Sequence, residues 1–223
     1  MLFLDSASIE DARQAVRHPY FAGLSFNPTL LSRALGASFV TRDAFHRHLK
    51  ALAEVTNGRR LYVQPVSHDF EGLLADAHEI LATVNPIRVV IKLPYSPDGL
   101  RAARALVDRD IRTCVTSIFT PLQAYVAASI GADWIAPYCN RITRSGGNGV
   151  ESVRAMGQII QAHGFKTQIL AASIKSLAEM EAVLATGPCR VTVSLDLFEE
   201  AATHPLSEAA GAQFEDDLKW AGV

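Results

Sequence analysis

The stretch Arg88-Val89-Val90-Ile91-Lys92-Leu93-Pro94 decides how the rest of the chain is read. It is a short apolar run, rich in β-branched residues, bounded by Asn85-Pro86 on one side and Pro94 on the other. Such a run reads as a strand buried on both faces, the kind found in parallel sheets. One lysine, Lys92, stands near its end. Desolvation disfavours a charged ammonium, and a neutral amine attacks carbonyls, so a lysine placed there is a candidate Schiff-base former. The bland alternative is a lysine that reaches solvent past the strand end, and the surrounding sequence has to choose.

Working outward, the chain of 223 residues is 49% hydrophobic and 20% charged, an ordinary composition for a globular protein. A net charge of −2 gives no basic footprint for nucleic acid or an anionic membrane surface. No apolar run approaches the ~18 residues that would span a bilayer. Met-Leu-Phe-Leu-Asp-Ser at the start lacks a basic segment and reads as a first strand, not a signal peptide. Cys114, Cys139 and Cys189 are odd in number and widely spaced, so reduced thiols in a cytoplasmic protein are expected.

Short apolar strands alternate with helices along the whole length. Strands are expected at Leu2–Asp5, Gly23–Ser25, Leu61–Pro65, around Lys92, and at Ile111–Thr116, Trp134–Pro137, Thr167–Ala172 and Arg190–Leu195. Between them the helical spacing predicts Ile9–Arg17, short pieces near Thr29–Leu35, then Arg42–Val55, Phe70–Thr83, Leu100–Val107, Pro121–Ile130, Val150–His163 and Leu177–Ala185. Leu197–Ala202 and Ala209–Trp220 close the chain helically. Eight βα repeats in a length somewhat below the ~250 residues of a typical (β/α)8 TIM barrel make that α/β fold the expectation, as one domain over residues 1–223. A doubly wound sheet is the rival, but Asp-Ser-Ala-Ser follows the first strand where a glycine fingerprint would stand.

In a barrel the chemistry gathers at the C-terminal ends of the strands. Asp5, Asn27, Gln64, Lys92 and Thr116 fall at the ends of the first five. Tyr138, Asn140 and Arg141 follow the sixth, Ser173 and Lys175 the seventh, and Ser194 and Asp196 the eighth. Singly, each has a structural explanation: Asp5 as a helix cap, Gln64 or Thr116 as hydrogen-bonded core groups, Tyr138 as a buried ring with its hydroxyl at the rim. Together, a carboxylate, two amides, a hydroxyl, a phenol and an inward lysine are the parts for binding and deprotonating a polyhydroxylated carbonyl compound.

These stretches resemble the small transaldolase family, in particular its fructose-6-phosphate aldolase branch. The shared segments are Leu4-Asp5, Asn27-Pro28, Tyr62-Val63-Gln64, Ile91-Lys92-Leu93-Pro94, Ala136 to Ile142, Gly146 to Gly149, and Ala171 to Lys175. The resemblance runs in order from residue 1 to about residue 217 and implies roles. Lys92 would form the Schiff base with a ketose C2. Tyr138 would be the general acid and base, acting through a water held by Gln64 and Thr116. Asp5 and Asn27 would bind substrate hydroxyls, Asp5 also aiding proton transfers at the lysine, and Arg141, Ser173 and Lys175 would bind the sugar phosphate. Transaldolases proper tend to carry phenylalanine at the position of Tyr138, so tyrosine favours free cleavage over transfer. The resemblance also implies a homo-oligomer, a pentamer or decamer, with a C-terminal helix at about 207–220 crossing between subunits.

Three positions depart from the pattern. Ser25-Phe26 stands where the family has Thr-Thr, and Phe26 so close to Asn27 is expected to bear on the pocket; Ser6 replaces a threonine. The glycine run at 145–149 reads as a flexible loop, with backbone N–H groups for an anion as the alternative. Phe119, Tyr125 and Trp134 read as packing. His46 and His48 lie two apart on a helix and face different ways, and no Cys or carboxylate set joins them, so no metal is expected. Imine chemistry needs no cofactor either. The leading expectation is an aldolase, a lyase of carbohydrate metabolism. Its alternatives are a transaldolase and a non-catalytic sugar-phosphate-binding barrel.

Overall fold

The computed structural model describes residues 1–36 and 41–218. Eight strands lie parallel in sequence order: β1 (Leu2–Asp5), β2 (Phe21–Phe26), β3 (Arg60–Val63), β4 (Val89–Pro94), β5 (Thr113–Ile118), β6 (Trp134–Pro137), β7 (Gln168–Ala171) and β8 (Cys189–Val193). β1 pairs with β8 through Phe3–Thr192 and Leu4–Val193, which closes the sheet into a (β/α)8 TIM barrel. The outer helices are α1 (Ile9–Ala15), α3 (Arg42–Val55), α4 (Phe70–Thr83), α5 (Pro97–Val107), α6 (Pro121–Ser129), α8 (Gly149–Ala162), α9 (Leu177–Leu184) and α10 (Leu195–Glu200). Two short helices, α2 (Pro28–Leu35) and α7 (Cys139–Arg144), follow β2 and β6 directly, and α11 (Pro205–Asp217) ends the described chain.

The strand period of two sorts side chains between two cores. Leu4, Leu24, Phe26, Leu61, Val63, Ile91, Leu93, Val115 and Ile135 face outward into the layer shared with the helices. Phe3, Tyr62, Val90, Cys114, Trp134, Ala136 and Leu170 face inward and fill the barrel. Helix starts are set by side-chain caps: Ser8, Asn27, Thr41, Asp69, Ser96, Thr120, Asn148 and Ser176 each accept a hydrogen bond from the N3 backbone N–H. Ser8 therefore takes the capping role that could have fallen to Asp5, leaving that carboxylate for the barrel interior.

Gly23 shows how tightly the sheet is drawn. Its φ is +151°, and a Cβ there would lie 2.0 Å from the Arg60 carbonyl oxygen on β3, so only glycine lets β2 and β3 meet at that level.

Several boundaries differ from the sequence reading. β2 runs the full length Phe21–Phe26, and β5 starts at Thr113, two residues late, and continues through a register shift between Thr116 and Ile118 to end at Ile118. β8 stops at Val193, since Ser194 already begins α10. α7 was not anticipated; its polar sequence Cys-Asn-Arg-Ile-Thr-Arg lacks a helical stripe. The run at 145–149 is neither a loose loop nor an anion cradle. Its N–H groups are used internally, Gly147 donating to the Ile142 carbonyl and Gly149 to Thr143 Oγ1, while a Cβ on Gly149 would strike the Cys139 carbonyl at 2.2 Å. α11 does not cover its own barrel: every described residue in it except Gly211 is exposed. Trp220 lies outside the described residues.

Candidate active site

The upper inward layer begins where the apolar filling ends. Phe3, Tyr62 and Trp134 form an edge-to-face chain of rings, with centroids 5.2 and 5.6 Å apart, that plugs the barrel. At the opposite mouth the Arg60 and Arg190 guanidiniums lie 5.9 and 5.0 Å from the Trp134 ring. Above this plug, two residues further along their strands, come Asp5 on β1 and Lys92 on β4. Lys92 is 2% exposed. Its Nζ donates to Ser25 Oγ at 3.1 Å and to the Phe26 carbonyl at 3.5 Å, neutral acceptors both. Phe26 itself points the other way, fully buried in the outer core. The substitution at 25–26 thus places a small hydroxyl beside the lysine and keeps the large ring out of the pocket.

Asp5, Asn27, Lys92, Tyr138, Arg141, Ser173 and Lys175 line one cavity of about 260 Å³. Burial pushes the Asp5 carboxyl above the ordinary carboxylate range, and the charges of Lys92, Lys175 and Arg141 pull it partly back. Cys114, beside Lys92 in the β4–β5 register, is no competing nucleophile: burial pushes its thiol up to about 12.

Tyr138 is held from three sides. Arg141 stacks on its ring at 4.5 Å, Phe119 meets it edge-on at 5.6 Å, and its hydroxyl accepts from Thr116 Oγ1 at 3.4 Å. Phe119, read from sequence as packing, does pack, with its ring edge-on to the phenol. Thr116 and Gln64 are not among the residues that line the cavity, and Thr116 is joined to it through its hydrogen bond to Tyr138. The Gln64 Oε1 is buried and has no hydrogen-bond partner among the described residues, a free acceptor of the kind that asks for a donor.

The wall after β6 and β7 is built by backbone pairing beyond the strand ends. Cys139 N–H donates to the Ala172 carbonyl and Asn140 N–H to that of Ser173. Ser173 takes a left-handed φ of +61°, unusual for serine and typical of a tightly determined site. Glu179 on α9 ties the two segments together, accepting from Lys175 N–H at 2.7 Å and from Asn140 Nδ2 at 3.3 Å.

Two charged cavity residues escaped the sequence reading, Arg33 on α2 and Arg144 on α7, as did the uncharged Thr29, Leu30 and Ala172. Arg144 stands three residues after Arg141, one helical turn away on the same face, so it could have been found. Arg33 could not, because nothing in the sequence says that α2 lies across the mouth. Ser194 and Asp196, at the end of β8, are exposed and do not line the cavity. A larger groove of about 400 Å³ lies outside the barrel between α2 and α3, lined by Leu31, Phe45 and Val66 and edged by the Arg42–Asp76 ion pair. It has no lysine in its lining, so the candidate site is the smaller cavity at the C-terminal strand ends. Among the described residues no group of three or more His, Cys, Asp or Glu side chains could hold a metal ion, and no helix is long and apolar enough to cross a membrane.

A closed parallel barrel with its polar cavity at the C-terminal strand ends defines a (β/α)8 protein of the enzyme-bearing kind. The chain belongs to the transaldolase/fructose-6-phosphate aldolase family, whose model matches residues 2–221. A probable transaldolase of Petrotoga mobilis is 31% identical over 218 residues, covering 98% of this chain and 94% of the relative. One from Desulfitobacterium hafniense is 32% identical over 214 residues, 96% of each chain. A probable fructose-6-phosphate aldolase of Streptococcus pneumoniae is 33% identical over 214 residues, 96% of this chain and 94% of that one. The family is one of enzymes acting as transaldolases or aldolases, and a sugar phosphate is the substrate it leads one to expect.

Proposed function

We propose that the protein is a Schiff-base aldolase that reversibly cleaves fructose 6-phosphate, or a related ketose phosphate, to dihydroxyacetone and glyceraldehyde 3-phosphate. The observation that carries this reading is the convergence of Lys92, Asp5 and Tyr138 on one cation-rimmed cavity. Lys92 adds to the ketose C2, and loss of water gives an iminium. The C4 hydroxyl proton passes to the base, the C3–C4 bond breaks, and its electron pair flows into the iminium to form an enamine. Glyceraldehyde 3-phosphate leaves. Protonation at C3 and hydrolysis then release dihydroxyacetone and restore Lys92.

Tyr138 serves as general acid and base in these steps, through a water shared with Thr116 and the unpartnered oxygen of Gln64. Asn27 and Asp5 bind the hydroxyls of the three-carbon unit, and Asp5 moves protons at the lysine. Arg141, Ser173 and Lys175 bind the phosphate, for which an arginine fork is well suited. The reaction uses no metal and no organic cofactor. Cys114, Cys139 and Cys189 are all free thiols, which supports a reducing, cytoplasmic setting. The barrel and α11 make one subunit of a homo-oligomer.

Transaldolase activity is the second reading, favoured by the names of most relatives. In that case the enamine is captured by another aldose phosphate instead of a proton. Borohydride reduction in the presence of fructose 6-phosphate, followed by peptide mass spectrometry, tests both: an adduct on the Lys92 peptide is expected, and none in folded protein would remove the imine. Tyr138→Phe then separates them. Free cleavage should fall about 10²-fold or more, the range of a lost general acid–base group, and undiminished cleavage would contradict the role given to the phenol.

A further inference from the structure

The barrel has a second open end, and positive charge gathers there. Arg60 on β3 and Arg190 on β8 stand on inward-facing rows at the N-terminal mouth, the first two residues before Tyr62 and the second level with Leu170. Both guanidiniums settle on one ring, 5.9 and 5.0 Å from the centre of Trp134. Arg112, two residues before the inward Cys114, and Lys166, at the entry to β7, join Arg60 and Trp134 in lining a cavity of about 600 Å³. Its volume falls in the range of small-molecule sites.

Little in the fold balances this charge. Among the described residues none of the four cations forms an ion pair. Asp133 is the sole carboxylate among the described residues of the lining, and its Oδ2 accepts the Thr113 N–H at 2.9 Å. The inward layer above adds no anion: burial pushes the Tyr62 phenol and the Cys114 thiol up, which keeps both neutral. An arginine at this end of a barrel ordinarily serves the carbonyls of a helix C-terminus. Arg88 and Arg104 do so, on the Ala53 and Ile130 carbonyls, and Arg112 gives one N–H to the Ile87 carbonyl. Arg60 and Arg190 are instead held against the indole, where two like charges close together repel.

We propose that the N-terminal mouth is a binding site for a small phosphate-class polyanion, held by Arg60, Arg112 and Lys166 in the cavity and by Arg190 beside it. The donors set the ligand's chemistry. Two guanidiniums fixed on one ring offer planar forks, for which phosphate oxygens are matching acceptors. Four cations against one carboxylate favour a ligand with more than one negative charge. The site lies across the ring plug from Lys92 and is independent of the reaction assigned to the other mouth.

Trp134 is a built-in reporter. The chain has two tryptophans, and Trp220→Phe leaves Trp134 alone. Titrating that protein with pyrophosphate at fixed ionic strength should give a saturable change in Trp134 emission. Adding Arg60→Ser or Arg190→Ser should weaken the apparent affinity at least tenfold, whereas Arg141→Ser, which alters the cavity at the other mouth, should leave it unchanged. Arg190 is exposed, so its loss should keep the fold, and circular dichroism checks each variant. No saturable change, an equal response to sodium chloride of matched ionic strength, or a response that survives both mouth substitutions overturns the site. So does a response lost in Arg141→Ser, since the emission would then be reporting on the other mouth.

Discussion

Asp5 is buried within reach of the charges of Lys92, Lys175 and Arg141, and the pH response of the fold should record it. An acid whose folded-state value lies above its unfolded one gives stability that is complete below the unfolded value and is lost as pH rises through the folded one. Asp5 is shifted upward from 3.8 by burial, so the parent should lose stability relative to Asp5→Asn as pH climbs from below about 4 toward neutrality. Thermal melts of both proteins across that window check this; a difference that stays flat would mean that folding does not perturb the carboxyl. At this scale much of the site was legible, because an ionisable residue in an apolar strand has few structural uses. Side-chain direction was less legible. Phe26 sits next to Asn27 in sequence, yet the strand pleat turns it into the outer core. Arg33 is six residues from Asn27 and reaches the cavity only because α2 folds over the mouth.

Elements position the cavity wall after β6 and β7 more than single side chains do. Glu179 joins α9 to the segments carrying Arg141, Ser173 and Lys175 through the Lys175 N–H and the Asn140 amide. Glu179→Ala should therefore raise KM for a phosphorylated ketose by roughly tenfold, about 1.4 kcal/mol, in keeping with hydrogen bonds to a charged acceptor, and change kcat much less. Glu179→Gln, which keeps an acceptor oxygen, should recover much of the loss. A fall in kcat at constant KM would place Glu179 elsewhere in the reaction. Strands and long helices could be read from apolar period and caps, whereas α7 could not. Its six residues have no stripe to detect, and they are helical because Tyr138 and Cys139 are pinned to Ile118 and Ala172 by backbone hydrogen bonds. Likewise the glycine at 149 marks a collision avoided between α7 and α8, which sequence shows only as a run of small residues.

For the whole molecule, the alternation of eight strands and helices was enough to foresee closure, since each apolar strand needs cover on two faces. What α11 packs against was not foreseeable from the chain alone. Leu206, Phe214 and Leu218 are 74%, 70% and 65% exposed, so the helix gains nothing from its own barrel. If it docks on a neighbouring subunit, deleting residues 204–223 should leave the barrel's circular dichroism unchanged and lower the sedimentation coefficient toward that of a single subunit. An unaltered coefficient would rule the helix out as the assembly element. The ring plug of Phe3, Tyr62 and Trp134 has a different consequence, an evolutionary one. It confines the stabilising contacts of the interior to a level below Lys92, while the cavity above is edged by exposed side chains such as Arg33 and Arg144. Replacing those costs the fold little, so new substrate preferences can be explored on this barrel without the loss of stability that ordinarily limits such change.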